Sequence, residues 1–95
     1  GTSPVEVKND ATISWAAPAK RANGKALPKS EISQYEIFHG VGSAGNMTYA
    51  ETVPGTQLKY EFKSLDKGTH YFAVQTVDHN GVRSKQSQPI QVVIK

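Results

Sequence analysis

Leu58-Lys59-Tyr60-Glu61-Phe62-Lys63 sets three large apolar side chains in strict alternation with three charged ones. Successive side chains on a β-strand point to opposite faces, whereas a helix would spread these three round an arc too wide to bury together. The stretch therefore predicts a strand with one dry and one wet face, burying Leu58, Tyr60 and Phe62. Leu65 and the turn Asp66-Lys67-Gly68 follow it, and then a long strand over residues 69–77 in which Phe72, Val74 and Thr76 form the more apolar phase.

The same period appears on either side. Upstream, Ala11-Thr12-Ile13-Ser14-Trp15 alternates apolar with hydroxyl side chains, turning Ala11, Ile13 and Trp15 inward until Pro18 ends the ladder. A long connection over residues 19–31 carries the turn signal Asn23-Gly24 and an inward Leu27. From Ile32 the alternation resumes, with Ile32, Gln34, Glu36 and Phe38 in one phase and Tyr35, Ile37 and His39 in the other. Gln34 and Glu36 mark the first of these phases as wet. Gly40, Gly42 and Gly45 predict a loop, residues 47–53 a weaker strand, and Pro54-Gly55 a turn. Downstream, Asp78-His79-Asn80-Gly81 reads as a hairpin turn, with Ile90, Val92 and Ile94 in one phase of a last strand. With a first strand at residues 5–7, the count is seven short strands separated by Gly, Pro and Asn turns. The pattern predicts an all-β, seven-stranded antiparallel two-sheet sandwich with an aromatic core of Trp15, Tyr35, Tyr60, Phe62 and Phe72.

Composition narrows the classes further. The chain has 95 residues, enough for one core and no second. Residues 4–95 read as the domain and residues 1–3 as a cloning remnant or linker, so the chain is expected to come from a longer parent. The absence of cysteine rules out disulfides and thiolate metal sites. No apolar run is long enough to predict a membrane span. A net charge of +3 suits solubility and falls short of a nucleic-acid signature.

At this point the motifs resemble a known family. Ile13-Ser14-Trp15-x-x-Pro18, Tyr35-Glu36-Ile37-Phe38-His39-Gly40, Leu65-x-x-Gly68-Thr69-His70-Tyr71-Phe72-Ala73-Val74 and Val77-Asp78-x-x-Gly81-x-x-Ser84, in that order, resemble the fibronectin type III module, an immunoglobulin-like sandwich. The connection running from Trp15 through Asn23-Gly24 to Ile32 is similar to a variant of that module in bacterial surface and secreted proteins. The resemblance implies an extracellular or cell-surface setting. It also implies a role as a spacer or accessory unit beside other domains of the same chain, monomeric when isolated. The family places tyrosine where this chain has His39. It also has a tyrosine corner at the start of the long late strand. Spacing from Leu65 gives that corner to Tyr71, whereas phase counted back from Thr76, Val74 and Phe72 turns His70 inward.

Few residues suggest chemistry. Three histidines, His39, His70 and His79, fall short of a convergent zinc set, and His79 reads as a turn residue. No Gly-x-Ser-x-Gly elbow is present, and Glu36, Glu51 and Glu61 read as mostly outward carboxylates on separate strands beside lysines. No catalytic residue, cofactor or metal is therefore expected. Two surfaces remain as candidates for polysaccharide or protein contact. One is an outward pair, Phe38 with Tyr71 across from it on the neighbouring strand. The other is the first long connection, where Lys20, Arg21, Lys25 and Lys29 put four cations within ten residues.

Overall fold

A computed structural model describes residues 9–21 and 23–95. The strand expected at residues 5–7 lies outside the described residues, as do residues 1–3. Six strands are described: β1 (Asn9–Ser14), β2 (Ile32–Val41), β3 (Thr48–Pro54), β4 (Lys59–Leu65), β5 (Gly68–Asp78) and β6 (Ile90–Ile94). All pairings are antiparallel. One sheet has the order β1-β4 and the other β3-β2-β5-β6. The two inner faces close on each other as a β-sandwich. Among the described residues no helix is long and apolar enough to cross a membrane.

The inner face of the larger sheet follows the predicted phases. Tyr35, Ile37 and Phe72 are wholly buried, and Val74, Thr76 and His70 nearly so. Opposite them, Ile13 and Leu65 are buried, while Trp15, Tyr60 and Phe62 pack from the rim. The Phe62 and Phe72 centroids lie 4.7 Å apart across the gap between the sheets, and Trp15 meets Tyr35 edge-on at 5.5 Å. These contacts fasten the sheets through aromatic area, the largest burial a chain of this size can make per residue.

One-residue insertions interrupt the alternation at three places, each moving a residue to the other face. Ile32 was expected on the wet face with Gln34. Instead the β2/β5 register shifts between Ile32 and Gln34, and Ile32 is buried. In the small sheet Asn9 pairs with Leu65 but Ala11 with Phe62, so β4 has one residue more than β1. Ser64 takes up the excess at φ 57°, held by its N–H donating to Asp10 Oδ1 at 2.8 Å. Leu65 then turns inward three positions after Phe62, not two. Between β2 and β3 the shift falls after Ile37, at Ala50, and turns Tyr49 outward; Glu51 stays in phase with the buried Val53 and faces inward, where the carboxylates were expected mostly outward. Leu58 departs for another reason. It precedes β4 and lies past the end of β1, so its carbonyl accepts the Trp15 N–H while its side chain stays 41% exposed.

The stretch read as a Gly-rich loop is partly strand, since β2 runs on to Val41 before a short 3-10 turn at Ala44–Asn46. After β5, residues 83–87 run back along its edge. Ser84 and Ser87 donate their N–H groups to the carbonyls of Thr76 and Val74. Their hydroxyls accept the N–H groups of those same two residues, both at 2.9 Å. Side-chain oxygens thus stand where strand carbonyls would, because residues 84 and 87 are three apart and must match residues two apart.

Two substitutions test this core. Phe72→Ala should cost about 3–5 kcal/mol in urea unfolding, as expected for an aromatic deleted from a closed site. The buried Tyr35 hydroxyl has no partner among the described residues. Tyr35→Phe should therefore be neutral or stabilise by about 1 kcal/mol.

Candidate functional site

The outward aromatic pair is rearranged by register. Across from Phe38 on β5 stands Ala73, not Tyr71, and Tyr71 stands across from Gly40. A side chain at Gly40 would run into Met47 and the Ser43 carbonyl, both 3.0 Å from where its Cβ would be, so the loop after β2 is folded against that position. The ring partner of Phe38 is Tyr49 on β3, edge-on at 6.3 Å. The β2/β3 insertion is what aligns them, since Phe38 pairs with Tyr49 two residues before Glu51. Tyr49 is 57% exposed, and its hydroxyl shares a hydrogen bond of 2.6 Å with Thr52 Oγ1. Sequence reasoning missed Tyr49 because residues 47–53 carry no clear alternation.

The basic connection is a small hairpin. Lys20 bridges to Ala26, the Arg21 N–H donates to the Lys25 carbonyl, and Gly24 turns the chain at φ 85°. Leu27 is buried as expected. Lys20, Lys25 and Lys29 are exposed, but Arg21 is only half-exposed and is engaged by two carboxylates. One is Glu31. The other is Asp78, buried at the end of β5, whose Oδ2 accepts from Arg21 at 2.5 Å. Asp78 Oδ1 also accepts the N–H groups of Asn80 and Val82, each at 2.9 Å. The Val82 N–H, followed by Arg21, holds this carboxyl below its ordinary range against the opposing effect of burial. His79, expected to be a bare turn residue, adds its main-chain N–H on the Glu31 carbonyl and its Nε2 at 3.0 Å from the Ser30 carbonyl. The long connection is thus tied to the β5 turn at three points, and Arg21 serves as a fastener between them.

The other carboxylates are also engaged. Glu36 receives Arg83 with Nε–Oε1 at 2.7 Å, Glu61 pairs with Lys63 at 3.0 Å, and Glu51 accepts the Tyr60 hydroxyl at 3.2 Å across the sandwich. Burial, then Glu51, pushes the Tyr60 phenol up.

His39 and His70 meet. His39 Nε2 and His70 Nδ1 are 2.8 Å apart, and their rings are within 6° of parallel. His70 Nε2 lies 2.8 Å from the Asp66 carbonyl, so His70, in the inward phase, makes the corner bond back to the preceding turn and Tyr71 does not. Among the described residues no group of three or more His, Cys, Asp and Glu is placed to hold a metal.

Compared with known proteins, the chain matches no family model and no curated relative.

Breaking the fastener should loosen the connection without unfolding the sandwich. Arg21→Met is expected to raise the rate of tryptic cleavage after Lys20, Lys25 and Lys29 by roughly tenfold, reflecting the loss of charge-assisted hydrogen bonds to a buried carboxylate. Because the folded Asp78 carboxyl lies below its unfolded value near 3.8, its contribution is complete above that pH and is lost as pH falls through the depressed value. Wild-type resistance to trypsin pretreatment at mild acidity should accordingly persist.

Proposed function

We propose that this chain is a fibronectin type III-like module that acts as a non-catalytic spacer or accessory unit in a multidomain extracellular or cell-surface protein of bacterial type. The fold class and the four sequence motifs support the family reading, as does the order β3-β2-β5-β6 facing β1-β4. The observation that carries the mechanical reading is the fastening of the long connections. Loops normally move more than the strands they join and carry the binding chemistry. Here residues 19–31 are tied to Asp78 and His79, and residues 83–87 are tied to β5 on both main chain and side chain. A body whose connections are held to its sheets transmits position from one neighbour to the next with little give.

The test places the domain between two fluorescent proteins and reads the distribution of energy-transfer efficiency in single molecules. A spacer gives one narrow population in native buffer that broadens only at the unfolding midpoint. A broad or multiple population under native conditions would overturn the reading.

A second reading, contact with a polysaccharide or protein through the outer face, is favoured by the exposure of Tyr49 beside Phe38. Under it, sugar fragments at millimolar concentration shift the amides of residues 38 and 49, and Tyr49→Ala abolishes the shifts while leaving the fold intact. Amides that stay still at that concentration would leave the spacer role alone.

A further inference from the structure

The corner of the sandwich where β5 begins and β6 ends is built around two imidazoles. His70 is 2% exposed and stands opposite Val41 on one side and Val92 on the other. His39 lies flat against Phe72, with centroids 4.8 Å apart and planes within 14°, and Phe62 closes over it at 5.9 Å.

The protons in this cluster can be placed by elimination. The Asp66 carbonyl is an acceptor only, so the bond at His70 Nε2 requires a hydrogen on that nitrogen. A neutral His70 then has a bare Nδ1, which can only accept, so His39 must donate from Nε2. The chain of donors runs His39 Nε2–H to His70 Nδ1, and His70 Nε2–H to the Asp66 carbonyl. In this arrangement His39 Nδ1 holds a lone pair.

We propose that this relay is an acid-operated latch on the corner formed by the 66–67 turn, the start of β5 and the end of β6. Its two protons have different consequences. The first enters at His39 Nδ1 and leaves both hydrogen bonds in place, with the cation resting on the faces of Phe72 and Phe62. The second has only His70 Nδ1 to occupy, and it removes the acceptor on which the His39 donor depends. Two imidazolium groups then face each other inside an apolar corner, a state that separation of the rings relieves.

The surroundings offer the cations little relief. On β2 and β4 the charged side chains Glu36, Lys59, Glu61 and Lys63 alternate with the inward residues, and Glu36 and Glu61 are paired with Arg83 and Lys63. On β3, Glu51 turns inward but is engaged by Tyr60. β6 carries no charged residue between Ile90 and Ile94. Asp66 joins the relay through its main-chain carbonyl, and Lys67 follows it in the turn. Burial, and then the charge of His70, lower the His39 pKa from its ordinary value near 6.5. The unfolded chain therefore binds more protons than the folded one in this range. The stability from the latch is complete above about pH 6.5 and drains away as pH falls through the lowered folded value. The upper end of this window, near 6.5, stands above the 3.8 from which the Asp78 carboxyl is lowered, so the fastener at the far end of β5 is still in place when the loss begins.

The experiment is nitrogen-detected NMR of the imidazoles together with amide exchange between about pH 7.5 and pH 5, on wild type and His39→Gln. At the upper pH the expected result is His39 and His70 both protonated at Nε2, with scalar coupling through the bridging hydrogen bond. As pH falls, protection should be lost first at residues 68–72 and 90–94, before the strands round Ile13 and Tyr35 open. His39→Gln keeps a donor for His70 Nδ1 and takes up no proton, so its corner should lose less protection over the same range. A His70 tautomer protonated at Nδ1, or the same acid loss in His39→Gln as in wild type, would overturn the latch. Because the readout is local exchange in the isolated domain, it stands or falls independently of any spacer role.

Discussion

Side chains on a strand alternate with a period of two, and a sandwich has only one interior; every other feature of this molecule answers to that constraint. A chain with 37% hydrophobic residues has few to spare, so each strand must deliver its apolar side chains to the same face for its whole length. Strict alternation would leave Ile32 and Leu65 in water. Two insertions, before Gln34 and at Ser64, restore phase where the sequence runs out of step, and a third, between Tyr49 and Glu51, turns Tyr49 to the outer face. Each costs local ladder bonding. At Ser64 the left-handed backbone would be strained for a residue with a Cβ, and the Asp10 side chain holds it.

The polar residues divide between two ends of β5. At one end, Asp78 gathers Arg21 and two main-chain N–H groups, so that a buried carboxylate has its charge met and its lone pairs used. At the other end, His70 bridges His39 and the Asp66 carbonyl. Both arrangements fix a chain reversal to the long strand through one side chain with several bonds. Their chemistry differs in the pH range over which it survives, carboxylate at one end and imidazole at the other.

Much of this was legible in the sequence. The phases of residues 35–37 and 90–94 could be read because Gln34, Glu36 and Gln91 mark the wet face, and in residues 70–76 counting back from Thr76, Val74 and Phe72 turned His70 inward ahead of Tyr71. The insertions could not be read, because an added residue is invisible until its partner strand is known. That is why Ile32 was assigned to the wrong face, while Glu51 shares the phase of Val53 in a strand with no clear alternation and the neighbour of Phe38 depended on a register that no single strand reveals. Leu58 was misplaced because alternation says nothing about where the opposing strand ends. The roles of Arg21 and His79 were hidden for a related reason: their partners lie 57 and 49 residues away in sequence, and a run of cations reads as a solvated patch until an acid arrives from elsewhere. Tyr49 had a weak signal at best, an aromatic among threonines, alanine and glutamate.

The pairing of Ser84 and Ser87 with Thr76 and Val74 also bears on how the molecule behaves in a crowd. β6 covers β5 only as far as Phe72, which would leave the upper half of the longest strand with free N–H and C=O groups. Such an edge is a template on which a strand from another molecule can grow. Here both groups of Val74 and of Thr76 are already taken, by a segment whose own conformation is too irregular to offer a fresh edge beyond it. Two hydroxyls thus let the sheet stop without a flanking strand, and the route from domain to fibre is closed at that point.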